Sequence, residues 1–189
     1  AVAAIEGLTK LVTGTLLSLS EQELVDCDIS GNDHGCNGGL MDYAYQWVKS
    51  NGGLNKDANY PYVGTNKTCN STLRSVSYAT ISGYSNIPVN NETALMIAVA
   101  RQPVSVAVEG GGRDFQFYAG GIFTGCCGLT VNHALTIVGY GTQNNVPYWY
   151  AKNSWGTTWG ERGFIRLLRN YEAVQGLCGI AKWPSYPNC

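Results

Sequence analysis

Charge is scarce in this chain. Its 12 basic and 13 acidic residues make up 13% of 189 positions, about half the usual share of roughly 25%. No charge run exists, and a formal net charge of −1 argues against a nucleic-acid or anionic-membrane partner. No apolar run reaches the roughly 18 residues that a membrane-spanning helix requires. There are two histidines and no C-x-x-C pair, which disfavours a zinc site, so no metal and no cofactor is implied. Seven irregularly spaced cysteines instead suggest disulfides formed in an oxidising compartment. Sequons at Asn66, Asn70 and Asn91 are glycosylation candidates and point to the secretory route. No leader pattern opens the chain, so a mature or processed form is expected.

What is present suffices for a folded protein: 44% of residues are hydrophobic, enough for one or two cores. Residues 1–13 place Ala1, Ile5, Leu8 and Val12 on one helical stripe, with Ala4 and Leu11 beside it. This helix opens on apolar residues with no Ser, Thr, Asp or Asn to accept its first N–H groups, and reads as a cut through a helix. Ser20-Glu21-Gln22-Glu23 is a capping-box pattern, with the Ser20 oxygen accepting and Glu23 reaching back, for a helix to about Asp26. Leu40, Tyr43, Ala44, Trp47 and Val48 form another stripe, stopped by Asn51-Gly52-Gly53. Asn90 or Asn91 can cap a helix through Ala94, Leu95, Ala98 and Val99, which Pro103 ends.

From Pro103 onward the texture changes to β-branched and aromatic runs separated by glycine: 104–108, 132–140, 148–153 and 163–167. Helices followed by antiparallel strands indicate an α+β protein with two segregated parts, residues 1–86 and 87–189. No internal repeat or low-complexity segment interrupts them.

Chemistry-bearing residues lie in the second half. His133 sits at the start of an apolar strand, whereas His34 lies in a Gly/Asp-rich loop and is expected in solvent. An imidazole can take the proton of a thiol and remain as a stabilising imidazolium. Asn153, followed by Trp155 and Trp159, supplies an amide to hold the imidazole's second nitrogen and indoles to keep water from that bond. Each element also has a structural reading: a strand histidine in a core, an asparagine capping a turn, tryptophans as ordinary packing. The order His then Asn in a Cys-rich chain favours the catalytic one.

These segments, Val131-Asn132-His133-Ala134-Leu135 and Lys152-Asn153-Ser154-Trp155-Gly156, resemble those of papain-like cysteine peptidases. So do Ser20 to Cys27, Gly35-Cys36-Asn37-Gly38-Gly39, Gly120-Gly121-Ile122-Phe123, Val138-Gly139-Tyr140-Gly141 and Gly176-Leu177-Cys178-Gly179-Ile180. The likeness covers essentially the whole chain and is nearest to plant members. It implies a helical left domain and an antiparallel β-barrel right domain, with an active site in the cleft between them. His133 would be the general base and Asn153 its orienter. The resemblance pairs Cys27 with Cys69 and Cys127 with Cys178, leaving Cys36, Cys126 and Cys189, with a Cys126–Cys189 bridge open. The family's nucleophile motif, Cys-Trp-Ala-Phe-Ser, would end just before Ala1, and the oxyanion-hole glutamine would also lie upstream. The chain by itself is therefore expected to be inactive.

By the same resemblance, Gly38 and Gly39 would pair with an extended substrate backbone. Leu40, Met41, Ala107, Val131, Ala134 and Trp183 would line the pocket for the second residue before the scissile bond. Many relatives carry Asp where this chain has Asn132. Polypeptide substrates, a propeptide and cystatin-like inhibitors are the implied partners, for a monomer that is extracellular, vacuolar or lysosome-like. A non-catalytic storage or binding protein is the alternative, and a disulfide-rich adhesion module ranks behind both.

Overall fold

Glu23 shows how the first half is organised. In the computed structural model, which describes every residue except Ser30, Ser20 caps helix α2 (Glu21–Cys27) and its Oγ accepts from the Glu23 N–H at 2.9 Å. The reciprocal half of the expected capping box does not form. The Ser20 N–H donates to Asn55 O, and the Glu23 carboxylate accepts from Asn55 N–H at 2.7 Å and Asn51 Nδ2 at 3.2 Å. A buried carboxylate needs several donors, and two from another segment serve it better than one local N–H. Burial pushes the Glu23 pKa up against those hydrogen bonds.

The chain forms two units, Ala1–Ser85 with Pro187–Cys189, and Asn86–Tyr186. In the first, helix α1 (Val2–Thr13) buries Val2, Ala4, Ile5 and Leu8. The expected stripe does not extend to its end, because Leu11 and Val12 are each 59% exposed. Ala1 caps only through its carbonyl, accepting from Ala4 and Ile5 N–H, with no side-chain cap. Helix α3 (Met41–Asn51) turns Met41, Ala44, Tyr45 and Val48 inward and stops at Gly52, whose φ of 82° is a left-handed cap. Tyr45, off the expected stripe, is fully buried. A short helix α4 (Ser71–Arg74) is capped by Asn70, which accepts from Thr72 and Leu73 N–H. The Cys27–Cys69 disulfide closes this region.

The second unit is built on helix α5 (Glu92–Val99) and strands β2 (Val104–Val108), β3 (Ile122–Phe123), β4 (His133–Gln143), β5 (Val146–Lys152) and β6 (Phe164–Leu168), while β1 (Gly83–Asn86) and β7 (Ser185–Asn188) each have residues in both units. Asn91 caps α5, its side chain accepting from Ala94 N–H. The order in the sheet is β1-β7-β2-β4-β5-β6-β3. The expected barrel is not closed. The order ends on β1 and β3, which are not hydrogen-bonded neighbours among the described residues; β3 is two residues long and pairs in parallel with β6, and β7 meets β2 at Ser185 and Ser105. Asn144 and Asn145, at φ 51° and 64°, make the tight turn between β4 and β5. Every residue of β2 is buried, and Leu135, Ile137, Trp149, Ile165 and Leu167 extend that core. The Trp149 indole N–H donates to Glu92 Oε2 at 2.7 Å. The Cys127–Cys178 disulfide is also present, while Cys36, Cys126 and Cys189 are exposed thiols, so the Cys126–Cys189 bridge is not made.

Ser20 holds two segments, accepting from Glu23 N–H and donating to Tyr60 O at 2.6 Å. Ser20→Ala is expected to destabilise the fold by about 1–2 kcal/mol, measured as a lower urea midpoint with unchanged slope.

Candidate active site

His133 opens β4 opposite Val108 of β2, and Asn153 follows the last residue of β5. Because β4 and β5 run antiparallel with Thr136 opposite Lys152, the start of one strand lies beside the end of the other. His133 Nε2 and Asn153 Oδ1 are 2.7 Å apart. The same oxygen accepts from Ser154 N–H at 2.8 Å. That backbone donor fixes which amide atom faces the ring, so Nε2 carries the proton and Nδ1 keeps its lone pair. The Asn153 N–H is tied to Gly163 O at 2.9 Å. Asn153 is buried, and its Nδ2 has no acceptor among the described residues.

Aromatic rings enclose this pair. Trp155 stacks on His133 with centroids 4.7 Å apart and planes at 29°. Phe115, from helix α6 (Arg113–Gln116), meets both rings edge-on at 6.3 and 5.7 Å. Trp159 packs against Phe115 and Trp155, and its indole N–H donates to Gln116 O at 2.9 Å. Gly110 closes another side, since a Cβ there would lie 2.9 Å from the His133 Cβ. Burial holds the His133 pKa below the ordinary imidazole value, and the Asn153 hydrogen bond opposes that shift without overcoming it. The site therefore presents a neutral, oriented imidazole able to accept a proton at Nδ1.

Asn132 precedes the histidine. Its Oδ1 accepts from Gly110 N–H at 2.9 Å, and its own N–H donates to Val108 O. Ala107 and Ala134 are cross-strand partners, and Val131 lies against Gly179. Ala107 is buried, Ala134 is exposed, and Trp183 is 49% exposed. In the first unit, Gly38 and Gly39 are exposed, Leu40 occupies the cap position of α3, and Met41 is buried. Gly38 has φ 106°, a conformation suited to glycine. His34 is exposed and takes no part. Sequence reasoning missed Phe115 and Gly110. The signal for Gly110 was the run Gly110-Gly111-Gly112 one residue after an apolar strand, which marks a close backbone approach.

Residues 1–188 match the family described as papain family cysteine protease. The chain belongs to the papain family of cysteine proteases. This papain-family chain is 59% identical over 185 residues to cysteine proteinase COT44 of Brassica napus, covering 98% of the chain and 56% of that relative. It is 53% identical over 186 residues to zingipain-2 of Zingiber officinale, covering 98% and 83%. Among solved structures, the Carica candamarcensis cysteine protease CMS1MS2 in complex with E-64 is similar at TM-score 0.92 and 46% identity, covering 99% of the chain and 84% of that structure. The ragweed pollen allergen Amb a 11 in its proform is similar at TM-score 0.94 and 44% identity, covering 99% and 56%. The chain thus spans about half the length of the first curated relatives it matches.

With only two histidines, the ring signals of His133 can be followed by NMR against exposed His34. Asn153→Ala removes the hydrogen bond that raises the His133 pKa. The His133 titration is expected to move to lower pH.

Proposed function

We propose that the parent protein is a cysteine endopeptidase that hydrolyses peptide bonds through a thioester acyl-enzyme. The observation that carries this reading is the His133–Asn153 hydrogen bond under Trp155 in a chain of the papain family. In the proposed reaction His133 Nδ1 accepts the proton of the nucleophilic thiol, and the thiolate sulfur bonds to the peptide carbonyl carbon. The imidazolium then gives its proton to the leaving amine as the C–N bond breaks, which leaves a thioester. Water attacks the thioester while His133 takes its proton. The acid product departs, and the thiol is restored.

The nucleophile of this scheme is the cysteine that the family resemblance would place just before Ala1, with His133 as its base. Four of the seven cysteines are in disulfides, and a disulfide sulfur is no nucleophile. Cys36, Cys126 and Cys189 are exposed thiols, and the ring contacts of His133 are made by Phe115 and Trp155. Gly38 and Gly39 would pair with the substrate backbone. Leu40, Met41, Ala107, Val131, Ala134 and Trp183 would receive an apolar side chain before the scissile bond. A propeptide and cystatin-like inhibitors fit this reading, as does a protein of the secretory route, extracellular or vacuolar. Among the described residues no helix is long and apolar enough to cross a membrane.

The test is intact mass before and after a thiol-selective epoxide, with peptide mapping. One adduct on a peptide preceding Ala1 is expected, with Cys36, Cys126 and Cys189 unlabelled. A mass matching this chain with no selective adduct would favour the non-catalytic storage or binding reading. In the active parent, leucine two residues before the cut is expected to give kcat/KM at least about tenfold above arginine, since an apolar pocket offers the guanidinium no partner. Equal use of the two would overturn the pocket assignment.

A further inference from the structure

Asp28 and Asp33 are both 7% exposed. Asp28 follows the last turn of α2, where its N–H donates to Leu24 O at 3.0 Å. Its Oδ2 has no donor among the described residues, and the side chain it faces is the carboxyl group of Asp33. Asp33 Oδ1 accepts from Leu40 N–H at 2.7 Å. Gly39 lies so close that a Cβ on it would collide with that carboxylate. The next contact along this loop is equally tight, with His34 N–H donating to Gly38 O at 2.8 Å. Asp33 therefore grips the Gly38–Leu40 backbone, and Asp28 stands behind Asp33.

Two buried carboxylates side by side repel unless a cation or a proton lies between them. Among the described residues no group of three acidic, histidine or cysteine side chains could hold a metal ion. The remaining charged groups nearby are turned elsewhere. On α2, Glu23 is bonded to Asn51 and Asn55, and Asp26 to Gln22, Tyr60 and the Lys67 N–H. In the loop His34 is exposed. From the Asn66–Lys67 segment the groups in contact are the Asn66 amide, which accepts from Cys36 N–H, and the Lys67 backbone N–H. Burial and Asp33 are the influences that raise the Asp28 pKa.

We propose that Asp28 and Asp33 share one proton, and that this proton is a positioning device that holds Asp33 on the Leu40 N–H and ties the shape of the Gly38–Leu40 backbone to pH. The inference rests on the reading of Gly38–Leu40 as substrate-binding backbone. An Asp28 O–H donated to Asp33 satisfies the orphaned oxygen and makes a strong charge-assisted bond. Burial first, and then Asp33, push the Asp28 pKa from 3.8 to about 7. An acid whose folded pKa lies above its unfolded value binds its proton more tightly when folded. Its contribution is whole below about 4 and is lost as pH rises through about 7. The loop is thus held in acid and loosened in mild alkali.

The test is amide hydrogen exchange at Gly39 and Leu40 between pH 5 and 8.5, corrected for intrinsic rates, in the chain as it stands. Protection of Leu40 is expected to fall on the order of tenfold between pH 6 and 8. In Asp28→Asn, whose amide can donate to Asp33 at any pH, protection is expected to stay level. A flat wild-type profile, or an unchanged pH dependence in D28N, would overturn the proposal. The Asp28 side-chain carboxyl carbon followed by NMR in the wild-type protein needs no variant, and titration in the ordinary aspartate range would overturn the proposal too. Neither readout uses catalysis, so failure of the peptidase reading would appear separately, as a missing epoxide adduct.

Discussion

The bond between His133 Nε2 and Asn153 Oδ1 works only if water is kept from it, and much of the second unit serves that requirement. A hydrogen bond open to solvent competes with water and nets on the order of 1 kcal/mol, whereas a buried one is stronger and holds a single geometry. Trp155 covers one face of the ring, Phe115 meets its edge, and Trp159 supports both. Dryness also disfavours the imidazolium, as the lowered His133 pKa records. A site built this way keeps the histidine as a base until an anion arrives beside it. A thiolate is such an anion, and the stacked indole favours the cation that forms.

The first unit meets a different constraint. Its core contains Ser20, Gln22, Glu23, Asp26, Asp28, Asp33 and Asn55 as buried residues. Most of these are acceptors matched to donors on other segments. Asp26 collects Gln22, Tyr60 and Lys67, and Glu23 collects Asn51 and Asn55. Polar groups with fixed partners specify which loop lies where, a role apolar packing performs less selectively in a loop-rich region. Asp28 is the exception, since its Oδ2 has no hydrogen-bond partner among the described residues and the side chain acting on it is another acid. A proton resolves the conflict at low cost where the solvent is acidic.

Elements whose pattern is local could be read from the chain directly. Val104–Val108 was legible because every residue is β-branched or small and the run is bounded by Pro103 and Glu109-Gly110. The Ser20 oxygen follows from residue type and spacing alone, which also narrow the α5 cap to Asn90 or Asn91; the fold selects Asn91. What escaped depends on distant partners. Glu23 abandons the capping box because Asn51 and Asn55 reach it. Strand β3 is two residues long and exists only because β6 lies alongside. The open sheet could not be read from strand texture, which carries no information on whether the ends meet. In the site, His133, Asn153 and Trp155 stand in short motifs, whereas Phe115 joins them only through the fold.

Asn132 illustrates how a local difference is absorbed by its surroundings. Its carbonyl oxygen holds the Gly110 N–H, and Gly110 in turn packs on the His133 ring. An aspartate could hold that N–H equally well, so the bond does not by itself require an amide. The neighbour is Glu109, whose carboxylate is fixed by Gly111 N–H at 2.9 Å and Gly128 N–H at 3.3 Å, and stands 3.5 Å from Asn132 Nδ2. A second carboxylate at that distance would set like charges side by side. The amide instead turns its donor end toward Glu109 and its acceptor end toward Gly110. Asparagine thus keeps the turn against the histidine in place without introducing the repulsion, and the negative charge of this corner resides on Glu109.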